Sequence, residues 1–164
     1  MNFRTAVLTI SDSGSRGERQ DLSGPAIVES LDTLSTVVWT GMVPDNREQI
    51  AACLRQLADE NKAELILTTG GTGLAPRDVT PEATLEVAEK LVPGIAEAMR
   101  AESMRITSRG MLSRGIAAVR GHSLIINLPG SPKAVRECLH AILPALPHAV
   151  ETLCGLAREC AAQE

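Results

Sequence analysis

Three glycines within four positions, Gly70, Gly71 and Gly73, followed by Asp78, mark the stretch LTTGGTGLAPRDVTPEAT between Leu67 and Thr84 as a place for anion chemistry. Glycine allows close backbone approach and unusual dihedrals, so the N–H groups of Gly70, Gly71, Thr72 and Gly73 can be turned toward phosphate oxygens. The spacing departs from both common phosphate loops. No Lys follows Gly73, as G-x-x-x-x-G-K-[ST] requires, and Pro76 occupies the closing position of G-x-G-x-x-G. Taken alone, the glycines read equally well as a tight turn or as a phosphate cradle.

Carboxylates stand in similar settings. Asp12 in SDSGS, Asp45 in PDN and Asp78 in the glycine stretch each lie in a loop where no helix pairing accounts for them. Asp45 and Asp78 suit a magnesium ion, a hard cation usually held by one or two carboxylates plus substrate phosphates. They suit equally a pair of turn residues bonded to their own backbone, and Asp12 carries the same ambiguity. Arg77 either neutralises Asp78 or clamps a substrate. Lys133 stands in the first turn of an expected helix, where a cation opposes the macrodipole; either a bound anion takes up both charges or the lysine is simply solvated. No Ser-His-Asp order, Cys-His pair or metalloprotease motif is visible. Cys53, Cys138, Cys154 and Cys160 are dispersed without C-x-x-C and read as reduced structural thiols. His122, His140 and His148 have no ligand-like spacing.

These residues need a scaffold, and the apolar spacing supplies one. Residues 4–11, 37–43 and 63–68 read as strands, the last an apolar run suited to a fully buried position. Helical spacing appears at Ile27, Leu31 and Leu34, with Ser23 as cap and Pro25 near the first turn, and again at Ile50, Leu54 and Leu57. Thr80 as N-cap, Pro81 at N1 and Glu82 open a helix running to about Lys90, and a further helix covers 93–104. IAAVRGHSLIINLPG reads as two strands joined by a tight Arg120-Gly121 turn. Ser131-Pro132 opens a helix with Val135, Leu139 and Ile142 on one face, and 143–160 is helical with interruptions at Pro144 and Pro147. The alternation predicts a single α/β domain over 1–164: three layers, α/β/α, with a mostly parallel sheet and an antiparallel edge hairpin. The loops SDSGS, PDN, TGGTGLAPRD and NLPGSPK then gather at the carboxyl ends of strands, where open α/β sheets bind ligands, and predict one shared crevice.

Composition narrows the ligand. The chain has 164 residues, 44% of them hydrophobic and 22% charged, as in ordinary globular proteins. A net charge of -4 argues against a general nucleic-acid or anionic-membrane surface. Phe3 and Trp39 are the only aromatics, too few to stack single strands. No run approaches the roughly 18 apolar residues of a membrane span, and the N-terminus lacks a signal-like apolar region, so a cytoplasmic location is expected. These residues by themselves point to a phosphate-bearing ligand with magnesium.

TTGGTGLAPRDVTPEAT resembles the signature of the molybdenum-cofactor biosynthesis family of the MogA/MoaB type, shared with the gephyrin G domain. VLTISDSGSRGERQDLSGPAI, VPDNREQI and LIINLPGSPKAVRECL match further family blocks in the same order, so the resemblance covers about residues 5–143. It implies a molybdopterin adenylyltransferase that uses ATP and Mg2+ to adenylate the terminal phosphate of molybdopterin, releasing pyrophosphate. The family's two essential aspartates fall on Asp45 and Asp78, as catalytic residues and metal ligands. Its substrate-binding positions fall on Asp12, on Thr69, Gly70, Gly71, Thr72 and Gly73, on Ser113, on Asn127, Pro129 and Gly130, and on Ser131 and Lys133. The resemblance also implies a homotrimer and hand-over to a molybdenum insertion enzyme. Some MoaB-type relatives lack a recognisable acidic pair; retention of both aspartates favours the active type over a non-catalytic molybdopterin carrier. An enzyme cleaving a nucleotide pyrophosphate bond is a third reading, since related domains occur fused in such proteins.

Overall fold

A strand buried on both faces reads as a largely apolar run, and residues 3–10 and 65–69 do so apart from the exposed Arg4 and the buried threonines Thr5, Thr9, Thr68 and Thr69. The computed structural model describes residues 3–32, 34–60 and 63–156. Strands β1 (Phe3–Ile10), β2 (Ser35–Val43), β3 (Leu65–Thr69), β4 (Lys90–Leu91), β5 (Ala117–Arg120) and β6 (Ser123–Leu128) form one sheet in the order β2-β1-β3-β6-β5-β4. The ladders from β2 through β1 and β3 to β6 are parallel; β5 is antiparallel to both β6 and β4.

Side-chain alternation divides the core. Phe3, Val7, Leu65, Leu67, Leu124, Ile126 and Leu128 face α2 (Ser23–Leu31), α5 (Pro93–Ile106), α6 (Pro132–Ile142) and α7 (Leu146–Leu153). Ala6, Leu8, Ile10, Ile66 and Ile125 face α3 (Arg47–Asp59) and α4 (Thr80–Val87). The expected three-layer arrangement follows. Full burial of side chains such as Leu8, Leu54 and Ile126 stabilises by roughly 1.5–3 kcal/mol each.

Connectivity makes the crevice. The chain leaves β1 for β2 by way of α2 on one face and returns to β3 by way of α3 on the other. Neighbours β1 and β3 therefore send their outgoing loops to opposite faces, which opens a switch point between their carboxyl ends.

Four local expectations change. The helix from Thr80 stops at Val87, and Lys90–Leu91 adds a two-residue strand beside β5, extending the antiparallel edge that the hairpin forms. Glu89 N–H donates to Val119 O and Val92 N–H to Ala117 O, both at 2.8 Å, before Pro93 opens α5. The hairpin turn is Gly121-His122, closed by Arg120 opposite Ser123, and Gly121 has φ 54° at the first turn position. Pro144 and Pro147 lie in the first turns of a 3-10 helix at Leu143–Ala145 and of α7, where a missing N–H costs nothing. Cys160 lies outside the described residues. Ser23 is the first residue of α2 rather than its cap; the Asp21 carboxylate accepts from the N–H groups of Ser23 and Gly24, each at 3.0 Å.

Candidate active site

The glycine loop begins where β3 meets its neighbours. Gly70 has φ 98°, and a Cβ there would lie 2.3 Å from Ile10 O; Gly71 has φ 65° and would strike Thr80 Oγ1 at 2.3 Å. Only glycine fits both places. Gly70 N–H donates to Leu128 O at 3.3 Å. Thr80 holds the other side of the turn: its Oγ1 donates to Gly70 O at 2.9 Å and its N–H to Gly71 O at 3.1 Å. The expected capping role of Thr80 is thus replaced, since Val79 occupies the N-cap and the threonine hydroxyl faces the loop. Thr69 is buried and donates through Oγ1 to Pro129 O at 2.7 Å, tying the ends of β3 and β6 together. Among the described residues, the N–H groups of Gly71, Thr72 and Gly73 have no protein acceptor.

Carboxylates line this loop. Asp12, in the one-turn helix α1 (Asp12–Ser15), and Asp45 exchange bonds: Asp12 N–H donates to Asp45 Oδ2 at 2.8 Å, and Asp45 N–H to Asp12 Oδ1 at 3.0 Å. Arg77 grips Asp12 through Nε to Oδ2 and through Nη2 to Oδ1 at 2.9 Å. Arg77 therefore pairs with Asp12 rather than with Asp78. Asp78 folds into its own loop, its Oδ2 accepting from Ala75 N–H at 2.9 Å. Asp45 Oδ1 would lie 3.2 Å from a Cβ on Gly71, and Asp78 Oδ2 2.8 Å from one on Gly73, so both acids border the free amides. Asp45 Oδ1 and Asp78 Oδ1 have no hydrogen-bond partner among the described residues.

Electrostatics separates the acids. Burial pushes the Asp45 carboxyl up, and the charges of Asp12 and Asp78 add to that. The hydrogen bonds from Arg77 hold Asp12 below the usual carboxylate range. A cation beside Asp45 and Asp78 would relieve the first effect, and each acid offers an unpaired oxygen to it. No group of three or more His, Cys, Asp or Glu among the described residues is arranged as a metal site.

Two clefts lie at the ends of β3 and β6. One, of about 180 Å³, is lined by Ser11, Gly14, Asp21, Thr69, Gly70 and Gly130 among others. A Cβ on Gly130 would sit 3.4 Å from Gly70 Cα, so the β3 and β6 loops touch there. The second, of about 190 Å³ and mostly apolar, lies between α5 and α6 and includes Ser113, Gly115, Asn127 and Pro129. Asn127 is 1% exposed, and its Nδ2 donates to Thr68 Oγ1 and Thr84 Oγ1 at 3.0 and 2.9 Å. Its side chain is spent on the scaffold. Ser131 Oγ accepts from Ala134 N–H at 3.2 Å and caps α6. Lys133 is 80% exposed, pairs at 3.8 Å with Glu137 one turn on, and lines neither cleft. The expected residues thus divide: Asp12, Asp45, Asp78 and 69–73 meet at one crevice, Ser113 and Pro129 flank the second cleft, and Lys133 joins neither.

Arg114 is the residue that sequence reasoning missed. It stands beside Ser113, yet nothing in its spacing reveals that it reaches the glycine loop. Its N–H donates to Thr72 O at 2.9 Å, its Nε to Gly73 O at 2.7 Å and its Nη2 to Asp78 O at 2.7 Å, while Nη1 pairs with Glu82.

Residues 6–148 match the family described as "Probable molybdopterin binding domain". The chain belongs to this family. Molybdopterin adenylyltransferase of Helicobacter pylori (strain ATCC 700392 / 26695) is 45% identical over 152 residues, covering 91% of this chain and 86% of that protein. The enzyme of the same name from Escherichia coli K12 is 39% identical over 168 residues, covering 93% and 86%. The crystal structure of the molybdopterin biosynthesis enzyme MoaB from Thermus thermophilus superposes with a TM-score of 0.89 at 53% identity, covering 93% of this chain and 97% of that one. The mostly parallel α/β/α sheet is therefore the fold of the molybdopterin-binding family.

Proposed function

We propose that this chain is a molybdopterin adenylyltransferase of molybdenum cofactor biosynthesis, transferring AMP from ATP to the terminal phosphate of molybdopterin with release of pyrophosphate. Relatives bearing that name align over most of the chain. The observation that carries the reading to these residues is the row of unbonded amides at Gly71, Thr72 and Gly73, bordered by Asp45 and Asp78 with one free oxygen each.

A phosphate oxygen of molybdopterin attacks the α-phosphorus of ATP; the new P–O bond forms as the bond to pyrophosphate breaks, and pyrophosphate leaves with the electron pair. Such a transfer needs positioning and charge neutralisation more than covalent help. The loop amides hold phosphate oxygens, and Thr69, Gly70 and Gly130 shape the cleft beside them. Mg2+, held by Asp45 and Asp78, would supply the positive charge that the transferring phosphoryl group requires. Asp12 fixes the backbone of Asp45 and keeps Arg77 at the rim. Ser113 and Pro129 flank the mostly apolar second cleft, which suits a pterin, with Asn127 and Ser131 holding its wall in place. The same proposal includes a homotrimer and delivery of product to an insertion enzyme; exposed Met104, Ile106, Met111 and Leu112 near the end of α5 support a covered face. No described helix is long and apolar enough to cross a membrane, and the cytoplasm remains the proposed location.

The test is pyrophosphate release from the purified chain given ATP, Mg2+ and molybdopterin. Asp78→Asn is expected to lose roughly 100- to 1000-fold in turnover while molybdopterin binding survives. Normal turnover in that variant would sink the metal-ligand assignment. Absent turnover in the unmutated chain with tight pterin binding would make the protein a carrier.

A further inference from the structure

We propose that Arg114, backed by Glu82, is a positioning residue that presents the glycine-loop amides and Asp78 to the transferring phosphate without touching substrate itself. The inference rests on the adenylyltransferase reading, and it starts from carbonyls rather than amides. In a planar trans peptide the C=O of one residue and the N–H of the next point in opposite directions. Arg114 takes Thr72 O through its backbone N–H, and Gly73 O and Asp78 O through its guanidinium. The N–H groups of Gly73, Leu74 and Val79 are thereby turned away from it. One side chain from the segment before β5 thus spans both ends of a loop that lies about forty residues away in sequence.

The chemistry is specific to arginine. A planar fork with donors at Nε and both terminal nitrogens can reach two carbonyls and a carboxylate at once; an ammonium on a flexible stem cannot hold that geometry. Glu82 closes the fork through Nη1, and it sits in the first turn of α4, the helix that the loop enters. Burial alone would push the Glu82 carboxyl up, and the bonds from Arg114 outweigh it, so the acid stays ionised as the fork's partner. Thr80 anchors the loop's first two carbonyls and Arg114 the next two with the last, and the N–H groups of Gly71, Thr72, Gly73, Leu74 and Val79 are left without an acceptor among the described residues. With partial exposure of 33% for Arg114 and 38% for Glu82, the pair is a strut at the loop rather than part of the core.

The full chain serves for the experiment, in two arms. Hydrogen exchange of the bonded loop amides of Ala75, Asp78 and Thr80, followed by mass spectrometry without substrate, is expected to quicken about tenfold or more in Arg114→Ala and Arg114→Lys, and less in Glu82→Gln. Pyrophosphate release in the same variants is expected to lose roughly 100-fold in kcat, with KM for ATP moving less than about threefold. Failure of lysine to rescue separates positioning from mere charge. Unchanged loop exchange in both arginine variants overturns the proposal, as does undiminished kcat in Arg114→Ala. Should Arg114→Ala not fold, Arg114→Lys and Glu82→Gln carry both readouts. If the unmutated chain releases no pyrophosphate, the adenylyltransferase reading fails by itself, while the exchange arm still decides whether Arg114 sets the loop.

Discussion

Asp12 and Asp45 exchange two hydrogen bonds, yet their surroundings drive them in opposite directions. Asp45 has its carboxyl raised above 3.8 chiefly by burial, so the folded chain favours its neutral form. The stability this brings is present below the unfolded value and lost as pH rises through the folded one. Asp45→Asn, which keeps an acceptor for Asp12 N–H, should therefore melt higher than the unmutated chain at pH 7, with the gap closing in acid. Asp12 is lowered by Arg77, so its contribution is present above the unfolded value of 3.8 and lost as pH falls through the folded one. Asp12→Asn should melt lower at pH 7, again with a gap that closes in acid. Melting curves of both variants between pH 3 and 7 check the pair; a lower melting point for Asp45→Asn at pH 7 would contradict the burial argument. The cost of Asp45 at neutral pH is what a site that awaits a cation would show. At this scale the acids were legible in the sequence because each stands in a loop without a helical partner. Arg114 was not, because its partners are backbone carbonyls, which every residue possesses and no sequence pattern marks.

At the scale of elements, the caps decide how loops enter helices. Asn46 caps α3, accepting from Gln49 N–H at 3.0 Å, and so sets the backbone directly after Asp45. Ser131 does the same for α6 directly after Gly130. Because the Ser131 hydroxyl is engaged by Ala134 N–H, Ser131→Ala is expected to cost about 1 kcal/mol of stability and to leave KM for both substrates unchanged, with Ser131→Thr restoring stability. Denaturant melts and steady-state kinetics check this; a large rise in KM for molybdopterin would make the hydroxyl a substrate ligand instead. The Ser131 cap was readable from Ser-Pro before an amphipathic run. The Thr80 cap was equally suggested by Thr-Pro-Glu and proved different, since a buried hydroxyl beside Gly70 O gains more by satisfying that carbonyl than by turning to its own helix. The two-residue strand β4 was illegible for a further reason: Lys90 and Leu91 are exposed, so no burial pattern announced a pairing that exists only through the backbone of β5.

For the whole molecule, the crevice is a product of winding. Loops that follow β1, β2, β3 and β6 converge because four parallel strands end on one side of the sheet. Ligand that binds only this folded arrangement must stabilise all of it: ATP with Mg2+ at a hundredfold excess over Kd should add about 2.7 kcal/mol. A thermal shift should record that gain in the unmutated chain and lose most of it in Asp45→Asn and Asp78→Asn. An equal shift in all three proteins would remove the acids from the nucleotide site.

The sequence by itself determined the layers, the strand-end loops and the identity of the acids, because strand burial, helix periodicity and turn chemistry are written in local spacing. It also carried the family resemblance, since the glycine stretch and its aspartate are contiguous. Only the tertiary structure decided which amides are left free, that Arg77 belongs to Asp12, that Lys133 belongs to Glu137 and that Arg114 holds the loop. Those are choices among donors and acceptors distant in the chain, and the competition between them exists only once folding has set them side by side.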